Sequence, residues 1–200
     1  MTPSEIHNLC KKYDINNYTI NDDMSISVNG NVDLSYRNLK SIPIKFKEVS
    51  GYFDCYRNQL TSLEGCPETV GGDFSCHSSQ LTSLKYCPET VGGDFICSGD
   101  QLTSLEYCPE TVGGVFFCGH NQITNFDGLP EFFEQPIYLS GNPVNEIYKL
   151  FKEDPRCIYW IREFGAIQGD EVVKDRLEEV YHTLGMDIPK DIKLENYKLV

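Results

Sequence analysis

Nine cysteines are the residues of this sequence with the most potential for chemistry. Seven of them recur at intervals of 21 residues in two columns, namely Cys55, Cys76, Cys97 and Cys118, and Cys66, Cys87 and Cys108. Cysteine thiolates bind zinc or act as nucleophiles, but zinc sites usually carry paired ligands at short spacing such as C-x-x-C, and no such pair occurs. We therefore expect these cysteines to be small apolar residues of a repetitive interior, with neither a metal nor a cofactor.

Catalytic motifs are missing from the rest of the sequence. His77 and His120 are isolated at the ends of predicted strands, and we predict that both lie on the surface. Cys157 lies outside the two columns, and no Cys–His or acid–base pair surrounds it in the sequence. No phosphate loop, H-E-x-x-H or G-x-S-x-G sequence is present either. These observations predict that the protein is not an enzyme.

The elements that must position these residues are repeats. Residues 51–113 contain three nearly identical 21-residue units, GYFDCYRNQLTSLEGCPETVG, GDFSCHSSQLTSLKYCPETVG and GDFICSGDQLTSLEYCPETVG. Self-similarity at this period is typical of solenoids, in which each unit buries its apolar face against its neighbours. Two apolar columns extend the register in both directions, Leu39, Leu60, Leu81, Leu102, Ile123 and Val144, and Ile42, Leu63, Leu84, Leu105, Phe126 and Ile147. The sequence therefore predicts about six units.

These columns match the leucine-rich repeat pattern L-x-x-L-x-L-x-x-N/C-x-L in register. Phe74-Ser75-Cys76 supplies the short strand and Leu81 closes the motif. The position of the structural asparagine holds Arg37, Asn58, Ser79, Asp100, Asn121 and Asn142. With the opening DLSYRNLKSIP, the unit GDFxCxxxQLTSLxxCPETVG resembles the uncharacterised leucine-rich repeat proteins of bacteriophages and large DNA viruses. The resemblance covers residues 29–147 and implies a binding scaffold without catalytic residues.

The predicted fold class is an α+β repeat solenoid, a leucine-rich repeat array between two caps that together form one structural domain. Residues 1–28 are predicted to form an N-terminal cap, with a short helix after the capping sequence at Thr2 and a hairpin around Asp22. Residues 29–147 are the repeats. Residues 148–200 are predicted to form a helical C-terminal cap, since helical spacing replaces the repeat after Asn142, with helices over 144–151, 157–164 and 170–184.

The concave face of such an array is the candidate binding surface, because alternation along each strand points Phe and Cys inward and the residue between them outward. The outward residues change from polar at the N-terminal end to apolar at the C-terminal end. An apolar patch with a polar rim often marks an interaction site. We therefore predict a partner-binding site made of Ile96, Phe117, Tyr138, Tyr56, His77, Asp54 and Ser75. The alternative is that the C-terminal segment folds back and covers the apolar stripe.

The charge of the chain restricts its partners. Its formal net charge is -13 at pH 7. Because phosphate attraction dominates nucleic-acid affinity, such a surface disfavours DNA, RNA and anionic membranes and favours a basic or neutral protein. No apolar run is long enough to span a membrane and the first residues lack the features of a signal peptide, so we expect a cytoplasmic location. Closely stacked free thiols also suit a reducing compartment.

Two functional hypotheses follow. The first is a non-enzymatic protein-binding module that uses the concave face, with a host protein as its partner and the host cytoplasm as its location if the chain is viral. The second is a small relative of the bacterial leucine-rich repeat ubiquitin ligases, with Cys157 as the nucleophile. The segment after residue 147 is much shorter than the helical catalytic domain of those ligases, which favours the first hypothesis.

Overall fold

The repeated Phe-x-Cys and Thr-Val segments each form a short strand, and equivalent strands of successive units stack in parallel. The structure is a computed structural model that describes residues 1–129 and 136–200. A front sheet contains β3 (Val32–Asp33), β5 (Phe53–Asp54), β7 (Phe74–Ser75), β9 (Phe95–Ile96), β11 (Phe116–Phe117) and β12 (Ile137–Tyr138). A back sheet contains β1 (Tyr18–Ile20), β2 (Ile26–Val28), β4 (Phe46–Val49), β6 (Thr69–Val70), β8 (Thr90–Val91) and β10 (Thr111–Val112).

The two sheets define a β-solenoid of about five turns, with roughly 21 residues in each turn. Phe53 pairs with Phe74 and Phe74 with Phe95, so each residue lies over its equivalent in the next coil. This result confirms the repeat architecture. The Thr-Val strands of the back sheet were not predicted, because they lie in the repeated Pro-Glu-Thr-Val-Gly-Gly segment, whose proline and glycines are typical of a turn. The threonine of each Thr-Val pair is exposed, whereas Val70 and Val91 are fully buried.

Columns of identical side chains fill the interior between the sheets. The rings of Phe53, Phe74 and Phe95 stack at centroid distances of 5.8 and 5.6 Å, each pair inclined by 9°. Beside them lie the fully buried thiols of Cys55, Cys76, Cys97 and Cys118. All nine cysteines are free, and of these only Cys87 and Cys108 are partly exposed. Stacking like on like lets each coil bury its apolar face against an equal surface of the next.

An asparagine ladder fixes the turn that follows the front sheet. The Asn58 amide donates to the carbonyls of Leu34 and Cys55 at 2.8 and 2.9 Å, and its oxygen accepts the N–H groups of Arg37 and Leu39. Asn121 and Asn142 donate to the equivalent carbonyls in later coils, and their oxygens accept the N–H groups of Leu102 and Ile123 respectively. Each side chain thereby joins two coils and satisfies buried backbone groups that the sheets leave unpaired.

Two of the three ladder positions without asparagine are incompletely bonded. Asp100 accepts the N–H groups of Ser79 and Leu81 through Oδ1, but its Oδ2 is buried and has no hydrogen-bond partner among the described residues. The Ser79 hydroxyl is likewise buried without a partner there. Burial raises the pKa of the Asp100 carboxyl to about 6. The third such position, Arg37, lies on the exposed first coil and reaches Asp14 at 3.9 Å.

Pairs of glycines make the sharp corner that leads from the back sheet to the next front strand. A Cβ atom on Gly92 would lie 2.2 Å from the carbonyl oxygen of Gly71, and one on Gly113 would lie 2.3 Å from that of Gly92. Such distances are far inside van der Waals contact, so adjacent coils can approach this closely only because both positions lack a side chain.

The Gly92→Ala substitution should therefore destabilise the solenoid by about 1–3 kcal/mol, the usual cost of forcing atoms into a packed contact. Urea denaturation of the purified protein would measure the change. Thr90→Ala is the control from the same corner, because its exposed side chain should contribute within about 0.5 kcal/mol. Equal midpoints for the two variants would contradict the close approach of the coils.

The N-terminal segment extends the back sheet. Helix α1 (Pro3–Lys12) begins at a capping box in which Thr2 and Glu5 bond each other's backbone N–H groups. Strands β1 and β2 form an antiparallel pair, and β2 then pairs in parallel with β4. The hairpin is thus continuous with the solenoid. Ile6 and Cys10 of α1 are fully buried in the common core.

The C-terminal segment is less helical than its spacing predicts. It contains helices α2 (Asn145–Leu150), α3 (Arg156–Glu163) and α4 (Lys174–Leu184), and a small sheet of β13 (Ile167–Gln168), β14 (Glu171–Val172) and β15 (Lys198–Leu199). The last predicted helix was expected to begin at Asp170, which is wrong. Because Glu171–Val172 pair with both neighbouring strands, the helix begins only at Lys174.

The end of the chain is fastened to the last repeats. The Tyr197 hydroxyl donates to the Thr124 carbonyl, and the Glu146 carboxylate accepts the N–H groups of Glu195 and Asn196 at 2.8 Å each. Arg162 on α3 donates to the Leu129 carbonyl at 2.7 Å. These bonds hold the C-terminal segment against the end of the array.

Candidate functional site

The outward face of the front sheet carries most of the residues predicted to bind a partner. One side chain from each strand of this sheet points away from the core, and this central column is Asp33, Asp54, Ser75, Ile96, Phe117 and Tyr138. Tyr138 is 49% exposed, and Ile96 and Phe117 are half-buried. The apolar part of the column therefore remains partly accessible in the presence of the described C-terminal segment.

Two pairs of parallel rings give this surface its shape. Phe117 and Tyr138 stack at 5.1 Å with their planes inclined by 8°, and Tyr56 stacks on His77 at 4.5 Å with an inclination of 9°. Rings held one over another by strand spacing form a flat and rigid surface. Such a surface suits recognition, because little side-chain entropy is lost when it is covered.

Tyr36 enlarges the aromatic surface and was missed from the sequence. It is 59% exposed and packs edge-on against Tyr56 at 5.3 Å, with the guanidinium of Arg57 5.2 Å from its ring. Tyr36 has a φ of 54° and Arg57 a φ of 51°, in the left-handed region that larger residues seldom occupy. Tyr36 and Arg57 lie 21 residues apart, so the repeat register alone could have placed them in one column. Their outward direction depends on the unusual backbone and was not predictable.

Ser75 and His77 form a polar pair between the aromatic residues. The Ser75 hydroxyl lies 2.8 Å from Nδ1 of His77. Burial lowers the pKa of His77, and the nearby charge of Arg57 lowers it further, which favours the neutral imidazole. Ser75 is only 3% exposed, so it supports the His77 ring from beneath rather than presenting itself to a partner.

The N-terminal end of the face is acidic. Burial, together with the neighbouring charges of Asp33 and Asp73, raises the pKa of the Asp54 carboxyl to about 6. Like charges on adjacent strands destabilise one another. A cation placed over this end would therefore be favoured. Asp73 also has a structural role, because its carboxylate accepts the N–H of Asp94 at 2.8 Å in the next coil.

The thiols have the properties of core residues. Cys157 is fully buried, and this burial raises the pKa of its thiol, with the charge of Asp154 raising it further. A nucleophilic cysteine needs the opposite environment, exposed and with a lowered pKa. Within residues 1–129 and 136–200, no group of three or more His, Cys, Asp or Glu side chains is placed to hold a metal ion.

The structure defines this surface at the level of architecture. No helix in the described part of the chain has the length and apolar character needed to cross a membrane. Comparisons with protein-family models, with curated proteins and with solved structures found no match. The chain is a 21-residue-per-turn β-solenoid that presents stacked aromatic rings beside an acidic end on its front sheet.

Proposed function

We propose that this chain is a non-enzymatic binding protein of the leucine-rich repeat type, with six units, that captures a basic or neutral protein through its front sheet. The observation that carries the proposal is the outward column with its stacked Phe117–Tyr138 pair, which is half-buried to exposed and has no structural need to be apolar. Binding energy in protein interfaces concentrates in a few aromatic anchors of this kind.

The electrostatics of the same face favour a partner with cationic groups. The column begins with Asp33 and Asp54, and burial together with the charges of Asp33 and Asp73 raises the pKa of Asp54, so a cation nearby would favour its ionised form. Rim charges of this kind mostly tune the association rate and its salt dependence. The aromatic rings then supply the short-range contact, while the acidic end orients the approaching partner.

The asparagine ladder supports the leucine-rich repeat assignment. Asn58, Asn121 and Asn142 bond the backbone of their own coil and of the preceding coil from the position that the repeat pattern reserves for asparagine. If the chain is viral, as its resemblance suggests, its partner is a host protein and its location is the host cytoplasm. The alternative, a ubiquitin-ligase-type enzyme that uses Cys157, is disfavoured by the complete burial of that thiol.

Alanine substitution of the two anchors tests the proposal. Phe117→Ala and Tyr138→Ala should each weaken partner capture by on the order of 2 kcal/mol, the scale of an interface hot spot. Proximity labelling in the cells that naturally make the protein would identify candidates, and calorimetry with the purified candidate would measure the loss.

Glu110→Lys is the control for these variants, since Glu110 precedes a back-sheet strand and is exposed. It should leave capture of the partner unchanged, and all three variants should keep the unfolding temperature of the wild type. Partners retained equally by Phe117→Ala, Tyr138→Ala and the wild type would show that the front sheet is not the binding surface.

A further inference from the structure

A groove crosses the loops that lead into the back-sheet strands β4, β6 and β8. It encloses about 620 Å3, within the range of pockets that hold ligand side chains. Its floor is apolar and well packed, because Ile42, Ile44, Phe46 and Cys66 are each at most 8% exposed. The groove lies apart from the outward face of the front sheet, and none of the residues that line it belongs to a front-sheet strand.

The wall of the groove is a tyrosine in an unfavourable backbone conformation. Gly65, Tyr86, Tyr107 and Gly128 share one column, and their φ angles are 96°, 71°, 67° and 88°. Glycine adopts this region without cost, whereas a residue with a Cβ is strained there. Tyr86 is nevertheless 51% exposed, so burial compensates little of that strain. A strained and exposed aromatic residue is a reason to look for a function.

The glycine one coil earlier makes room beside this tyrosine. Gly65 lines the same groove, and a Cβ added to it would lie 3.3 Å from Ile42 on the floor. The succession of Gly65 and Tyr86 therefore creates an opening with an aromatic wall at one place in the array. Tyr107, in the same column of the next coil, does not line the groove.

The rim of the groove is negatively charged. Glu64, Glu68 and Glu89 line it and are exposed. Lys45 is the one basic residue among its lining residues, and its ammonium already pairs with Asp23 at 2.7 Å. Glu68 also attracts the Lys45 ammonium, but none of the three rim carboxylates forms a salt bridge within the described part of the chain, so all three can meet an incoming cation.

From this combination we propose that the groove binds a peptide segment of a partner protein in which a bulky aliphatic or aromatic side chain is flanked by arginine or lysine. The apolar side chain lies over the floor and packs against Pro43 and Tyr86, which keep accessible apolar surface and provide the hydrophobic contact. The flanking cation meets Glu68 and Glu89 on the rim. The ring of Tyr86 acts as an apolar wall, because the Lys85 ammonium already lies 5.0 Å from its centroid. This site is independent of the front-sheet surface, and a protein can occupy either one alone.

Selection from a displayed library of random peptides, with the intact protein as target, tests the inference. The enriched sequences should carry Arg or Lys beside Leu, Ile or Phe, and their binding should shift the backbone NMR signals of Ile42, Ile44 and Gly65. Tyr86→Gly should weaken such a peptide at least about tenfold, a difference that titration resolves. Tyr107→Gly is the matched control and should bind as the wild type does. Because both changes relieve the same positive φ, neither should lower the unfolding temperature.

Charge reversal distinguishes a specific contact with the rim carboxylates from general electrostatic attraction to an acidic protein. Glu68→Lys should weaken the selected peptide at least about tenfold, whereas Glu110→Lys, in the same column two coils away, should have no effect. The Phe117→Ala and Tyr138→Ala variants should bind it normally, so failure of the front-sheet proposal would leave this result intact. A library without enrichment, enriched peptides without cationic residues, or equal binding to Tyr86→Gly would each overturn the inference.

Discussion

The Leu81→Ala substitution should lower the free energy of unfolding by about 2–5 kcal/mol, the range observed when a buried leucine is truncated. Leu81 is fully buried at the centre of the array, and the coils before and after it carry Leu60 and Leu102 in the same column. Removal of its side chain leaves a cavity between two coils that are tied together by backbone hydrogen bonds, so the surrounding structure can collapse only in part. Urea denaturation followed by circular dichroism measures the loss.

Leu39→Ala provides the comparison within the same column. Leu39 occupies the first coil and is only partly buried, so its truncation removes less contact and should cost clearly less than truncation of Leu81. Equal losses at the two positions would indicate that burial along the column is uniform. An unchanged midpoint for Leu81→Ala would show that this column does not face the core.

The period of the solenoid could be predicted because its columns consist of residue types that strongly prefer a buried position. Leu60, Leu81 and Leu102 and the cysteine column from Cys55 to Cys118 specify which side of each coil is inside, and the structure buries them all. The second cysteine column is buried less completely, since Cys87 and Cys108 are partly exposed. The back sheet escaped prediction for a physical reason. Its strands at Thr69–Val70 and Thr90–Val91 lie between proline and glycine residues typical of turns, and their pairing depends on the neighbouring coil rather than on local propensity.

The candidate surface was predictable in part. Ile96, Phe117 and Tyr138 followed from strand alternation, and the structure places all three on one face. The burial of Ser75 beneath His77 was not predictable, since it depends on a ring that stacks on Tyr56 one coil away. The groove walled by Tyr86 was also hidden, because only the backbone angles show that this tyrosine occupies a position that suits glycine.

At the C-terminal end, helical spacing wrongly predicted a helix in a segment that forms a strand. The residues from Asp170 onward fit a helical pattern, yet Glu171–Val172 bond to Ile167–Gln168 on one side and to Lys198–Leu199 on the other. The second partner lies far away in the sequence, so no local pattern could reveal it. Tertiary pairing of this kind overrides weak helical propensity.

Asp100→Asn should stabilise the protein by up to about 3 kcal/mol at pH 7, because the pKa of about 6 in the folded chain exceeds the usual value near 4 by about two units, each worth about 1.4 kcal/mol. An asparagine here could donate its amide to the Cys76 and Cys97 carbonyls, as Asn58 and Asn121 do at their own positions. In the wild type, the buried Oδ2 of Asp100 takes the place of that donor and has no partner among the described residues.

The advantage of Asp100→Asn should depend on pH in a defined direction. Below about pH 4 the carboxyl is protonated in both the folded and the unfolded chain, so the wild type keeps its full stability. As the pH rises from about 4 to about 6 the carboxyl ionises in the unfolded chain before it does so in the folded one, so the wild type loses stability and the variant does not. Denaturation of both proteins at pH 4 and pH 7 measures this pH dependence. Subtracting one free energy of unfolding from the other removes the contribution of the titratable groups that the two proteins share.

The reverse change, Asn121→Asp, should introduce the same pH-dependent loss of stability at a ladder position where all the side-chain polar atoms are hydrogen-bonded. If the stability difference for Asp100→Asn is the same at both pH values, the carboxyl is not the strained element, and the ladder tolerates its charge.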